Sequence, residues 1–274
     1  MDTLEPSRVA ALSDIWTRAA LTDASADTRA AAAAAVGGVL LRWPALAPCV
    51  AKAATAALGG VGGGKERERE CEREREWGRE REIVSLLATM TTTTTAAVVS
   101  ATNGTTQSHS ITFSPYARSG ASLLVRELCC AAPDIGETFT ALQTLSTALQ
   151  SAARAVNNAP GPTFGDAVFL ETAWRALPEA ANGLGRTRAR RALEGWLSAL
   201  GATLGLGGCG AGAGEGTAAR GAACARAAAR AAADAVPALA DAVGRSVFEA
   251  RLDDDGVAGV ALRRILDQVA RGVW

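Results

Sequence analysis

The sequence predicts an all-α protein, and three observations lead to that expectation. Apolar residues recur at helical spacing along most of the chain. No convincing two-residue alternation of the kind a strand needs occurs outside one Thr-rich stretch. Alanine, a strong helix former, supplies much of the 49% hydrophobic fraction, while aromatic residues reach only 4%. At 274 residues the chain is long enough for one large domain or two ordinary ones.

Residues 4–58 predict three helices. Val9, Leu12, Ile15, Trp16 and Ala19 share one side of the first and form its expected core face. A run of alanines leads the second to Val36, Val39, Leu40 and Trp43, where Pro44 interrupts it. The third carries Leu46, Val50, Ala54 and Leu58 and stops at Gly59 and Gly60.

Residues 59–115 read as a disordered low-complexity insertion. Glycines 59–64, apart from Val61, lead into residues 65–82, where Glu and Arg alternate; residues 91–114 are rich in Thr, Ser and Ala and carry no charged residue. A short apolar piece, 83–90, lies between them and is expected to cap the first block. On a helix, the Glu/Arg alternation places like charges at i,i+4 and opposite charges at i,i+3, two effects that partly cancel. A solvated linker is therefore expected there.

Residues 116–274 predict a second helical block. Leu123, Leu124, Leu128 and Cys129 line its first helix, which Pro133 ends. Asp134 and Glu137 resemble a capping box ahead of a long stripe through Ile135, Phe139, Leu142, Leu145, Leu149 and Val156. Thr163 and Asp166 signal another start, before Val168, Phe169, Ala173 and Leu177. Leu193, Trp196, Leu197, Leu200 and Leu204 define a helix over about 187–204, and a Gly-rich loop follows at 205–216. The chain then predicts an Ala/Arg helix, a helix over 237–252, and a last one bearing Val260, Ile265, Leu266 and Val269.

Charge and motif patterns exclude several functions. Lys plus Arg and Asp plus Glu each total 28, so no global field favours nucleic acid or an anionic membrane. The N-terminal stretch resembles neither a secretory signal nor a transit peptide, and no stretch is convincing as a membrane span, which predicts a cytoplasmic or nuclear protein. The six cysteines lack Cys-x-x-Cys spacing and read as buried or incidental. Gly59 to Lys65 matches part of a phosphate loop, but Glu66 replaces the hydroxyl that would meet magnesium. The glycines at 205–210 fit a dinucleotide pattern but follow a helix rather than a strand. Asp253, Asp254 and Asp255 fail as a calcium loop, because Arg251 and Leu262 would stand at ligand positions; Asp255 reads as a helix cap. His109, the single histidine, has only Ser and Thr around it. The expectation is no catalytic, cofactor-binding or metal-ligating residue, no cofactor, and no enzyme.

Pro44-Ala-Leu-Ala and Pro237-Ala-Leu-Ala recur, Pro178-Glu-Ala-Ala is a looser copy, and helix pairs beginning near 116, 163 and 237 recur at roughly 40-residue spacing. Residues 237–272 resemble a HEAT repeat of the HEAT/armadillo type: Pro237, Leu239 and Val243 match the first helix, Asp255 and Val257 the turn, Ala261 and Ile265 the second helix. Ala258 stands where the family has arginine. The resemblance implies antiparallel helix pairs stacked as a short α-solenoid, and a scaffold or adaptor with protein partners along its helix faces. No membrane association and no small-molecule ligand are expected. The alternative expectation is an RNA-associated helical protein using the arginines of 65–82, whose interleaved glutamates oppose phosphate binding.

Overall fold

The computed structural model describes residues 5–59, 116–158, 164–205, 217–252 and 256–271. The helices are α1 (Pro6–Thr22), α2 (Ala26–Arg42), α3 (Ala47–Gly59), α4 (Ala117–Ala131), α5 (Gly136–Asn158), α6 (Phe164–Leu184), α7 (Arg186–Gly205), α8 (Thr217–Val243), α9 (Arg245–Leu252) and α10 (Gly256–Ala270). A short 3-10 turn, Pro44–Leu46, joins α2 to α3. Among the described residues there is no strand, so the protein is all-α as the sequence predicts. The described residues all belong to one compact unit; residues 60–112 lie outside the described residues.

Within this unit, helices pack against neighbours two places along the chain. α2, α4, α6 and α8 make one row, and α3, α5, α7 and α10 a second. Cross-contacts fix the direction of travel. Arg29 meets Tyr116, and Gly37 faces Glu127, so α2 and α4 run parallel. Arg118 meets Asp166, and Cys129 and Cys130 lie against Gly183, so α4 and α6 do the same. Between the rows, α6 and α7 run antiparallel, the Trp174 indole reaching Thr203.

Alanine content explains how neighbouring helices within a row come so close. Ala228, Ala231, Ala232 and Ala235 of α8 are buried, and α8 makes its closest association with α6. Small faces bring helix axes together but supply little area, so the few large buried side chains carry disproportionate weight. Phe169, Trp174, Trp196 and Phe248 are completely enclosed. Two of them are also pinned: Trp196 Nε1 donates to Ser146 Oγ at 2.9 Å, and Trp174 Nε1 donates to Thr203 Oγ1 at 3.2 Å. Both acceptors sit on the second row and keep their own bonds to backbone carbonyls one turn back. α4 is buried on most of its sides and touches α1, α2, α3, α5 and α6.

Several sequence expectations need correction. In α1, Leu12 and Ile15 are exposed, and the buried face runs instead through Val9, Ser13, Thr17, Ala20 and Leu21. α5 begins at Gly136, and the Asp134 carboxylate is engaged by Arg188 rather than set over the helix start. Pro237 does not open a helix; it lies inside α8, which continues to Val243. Pro178 likewise lies inside α6. A proline removes one N–H and crowds the carbonyl four residues back, a local cost that buried flanks absorb. The break falls at Gly244, whose φ of +102° suits glycine and ends α8. Val257, assigned to a turn, is within α10. The third helix pair therefore opens at Thr217, not at 237.

Trp196→Phe removes the indole donor while keeping an aromatic ring in place. It is expected to lower unfolding free energy by about 1–2 kcal/mol, read from urea midpoints. Gly183→Ala would set a Cβ 2.7 Å from Cys130 Cα and 2.8 Å from the Cys129 carbonyl oxygen. Because backbone must move to admit it, a loss of at least about 2 kcal/mol is expected.

Candidate interaction surfaces

Polar residues cross the first row at two levels. At the start of α4, Arg29 is buried and its guanidinium lies 4.9 Å from the centroid of the Tyr116 ring. Its Nη1 donates to the carbonyls of Asp23 and Ala24, both at 2.9 Å, just past the end of α1. A cation at a helix C-terminus complements the exposed carbonyls there. Burial pulls this guanidinium below the ordinary arginine value, with Tyr116 and Asp23 opposing the shift. Beside it, Arg118 Nη1 donates to Asp166 Oδ1 at 2.9 Å and sits over the Phe169 ring. Further along, Arg126 pairs with its neighbour Glu127 and reaches Glu179 of α6 at 3.4 Å. These contacts hold α2, α4 and α6 in register.

A second set of arginines works at the turns. From α7, Arg188 donates to the Pro133 carbonyl and to Asp134 in the α4–α5 turn, while Arg190 Nε donates to the Val243 carbonyl at the end of α8. One helix thus ties the α4–α5 turn to the end of α8. Arg251 of α9 returns to Glu194 of α7 at 3.0 Å. Sequence reading missed this set, and its only signal was the Arg-rich opening of α7, Arg186-Thr187-Arg188-Ala189-Arg190-Arg191.

Cysteine chemistry is muted. Cys129 is buried in α4, and desolvation, with a smaller contribution from Cys130, pushes its thiol from 9.0 up to about 12. Cys130 is exposed yet also raised, by partial burial first and then by Glu127 and Glu179. A thiolate is the reactive form, so neither is activated. Cys49 is exposed, Cys224 is half-buried, and Cys71 and Cys209 lie outside the described residues.

The motif candidates fare as follows. The glycines after Gly59 with Lys65 and Glu66, the Glu/Arg run, His109, the glycines at 206–210 and Asp253, Asp254 and Asp255 all lie outside the described residues. Among the described residues, no group of three His, Cys, Asp or Glu is placed to hold a metal ion, and no helix is long and apolar enough to cross a membrane. Comparison of the chain with protein-family models, curated proteins and solved structures finds no match.

Because the folded state holds Cys129 as the neutral thiol, its contribution to stability is complete below the unfolded value near 9. It fades as pH rises toward about 12. Cys129→Ala should flatten this part of the alkaline stability profile, measured by urea unfolding across that window. Arg118→Leu leaves Asp166 without this cation in a poorly solvated place. A loss of about 2–3 kcal/mol is expected, recovered in part when Asp166→Asn is added.

Proposed function

We infer that the chain is a non-enzymatic helical-repeat scaffold that binds protein partners through its helix faces. One observation carries this reading: alternate helices run parallel and stack in two rows, so each helix pair adds to its neighbours. Stacked pairs of this kind bury a continuous core from individually weak faces, which is how helical-repeat proteins of the HEAT and armadillo type are built. The arginine ties between successive turns fit the same scheme, since they join each pair to the next. A row of stacked helices presents a broad surface assembled from many elements, suited to a macromolecular partner rather than a small molecule.

The test is co-purification from cell extract, with and without nuclease, using the full chain and a variant lacking residues 65–82. Protein partners that survive nuclease and persist with the deletion are the expected result. Cross-linking should then map them to exposed positions such as Arg175, Glu179 and Asn182 on α6. Association lost on nuclease treatment, or with the Glu/Arg run, would replace this reading with RNA association.

A further inference from the structure

α1 is seated with two hydroxyl side chains on its inward side and two large apolar ones on its outward side. Its buried face includes Ser13 and Thr17, whereas Leu12 and Ile15 are 37% and 59% exposed. Adjacent helical residues are separated by roughly 100°. Trp16 and Ala19 of the same stripe pack half-buried against the core, so only its Leu12 and Ile15 edge faces out, about one residue's rotation from the buried face.

The seat is also poorly satisfied. Thr17 Oγ1 on α1 and Ser119 Oγ on α4 are buried without a hydrogen-bond partner. Beside Ser119, Gly120 lies against the Ala20 carbonyl, so the contact there is backbone on backbone, with little apolar area. Only Ala20 and Leu21, near the C-terminal end of α1, join the continuous core as fully buried residues; Val9 is buried apart from it. Among the described residues, the ion pairs of α1 are Arg8 with Glu5 and Arg18 with Asp14, both on the helix or its cap, and none there ties it to another helix. What does fix it is Arg29 Nη1, which holds the carbonyls of Asp23 and Ala24 at its C-terminal end.

We propose that α1 is a hinged strap that opens from the face of α2 and α4 about residues 23–25, while the remaining helices stay folded. One conflict drives the opening: the Thr17 and Ser119 hydroxyls are dry only in the closed seat, whereas Leu12 and Ile15 meet water in both positions. Closed, the strap covers Ser119 and Gly120 of α4; open, it uncovers that face and frees its own Leu12 to Ala19 stripe. This inference does not depend on the scaffold reading, because it concerns the seat of one helix.

Native-state amide exchange of the full chain tests it directly. Amides of 6–22 are expected to exchange at least about 100-fold faster than those of α4, with little dependence on low urea concentrations. Thr17→Val combined with Ser119→Ala removes both dry hydroxyls and should slow exchange of 6–22 about tenfold, leaving α4 unchanged. Leu12→Ser with Ile15→Ser should leave that exchange as it was. A second probe is Thr17→Cys, with Cys129 as internal reference for the same thiol reagent. The introduced thiol should label far faster than Cys129, without the steep urea dependence of the latter. Exchange of 6–22 at the rate of α4, or labelling at both positions with one rate and one urea dependence, would overturn the strap.

Discussion

Everything in this fold follows from how little side chain lies between its helices. Faces built from alanine and glycine let backbones approach within contact, as at Gly120 against Ala20 and Gly183 against Cys129. Close approach compensates for small transfer area with dense contact, but it removes tolerance: a single added methyl collides with main chain rather than a flexible tip. Specificity must then come from sparse large or polar groups. Trp174, Trp196, Arg118 and Arg188 serve that purpose, each bonding to a neighbouring helix or turn.

Arginine is suited to these joints for a geometric reason. Its planar fork presents several donors at fixed angles, so one side chain can serve two acceptors, as Arg29 does with two successive carbonyls and Arg188 with a carbonyl and a carboxylate. The same residue type therefore recurs where a helix is held to the α1–α2 turn, the α4–α5 turn and the end of α8.

Helical class, most helix spans and the large core residues were legible in the sequence, because apolar periodicity and proline or glycine stops act locally. Trp196, Leu142 and Phe169 fall in the core as their spacing predicts. What local pattern could not show was rotation. α1 has a clear apolar stripe, but the surface it meets is shared between α2 and α4, the latter distant in sequence, and that surface takes Ser13 and Thr17 beside Val9, Ala20 and Leu21. Pro237 misled for a related reason: its cost is local, while continuation of α8 is settled by burial against α6. The joints of Arg118, Arg188 and Arg190 were hidden because each depends on a partner about 50 residues distant. No interaction site could be read at either level beyond the surfaces themselves.

The central place of α4 has a consequence for synthesis. α3 ends at Gly59, and α4, which α1, α2 and α3 all contact, begins at Ala117. During translation the first three helices thus wait for more than fifty residues before their shared partner leaves the ribosome. At the roughly 5–20 residues per second of elongation, that is a delay of several seconds with apolar faces uncovered. Once the chain is complete, the intervening length costs little, since closure entropy grows only logarithmically. The burden of the insertion is therefore temporal rather than thermodynamic, and it falls on the nascent chain.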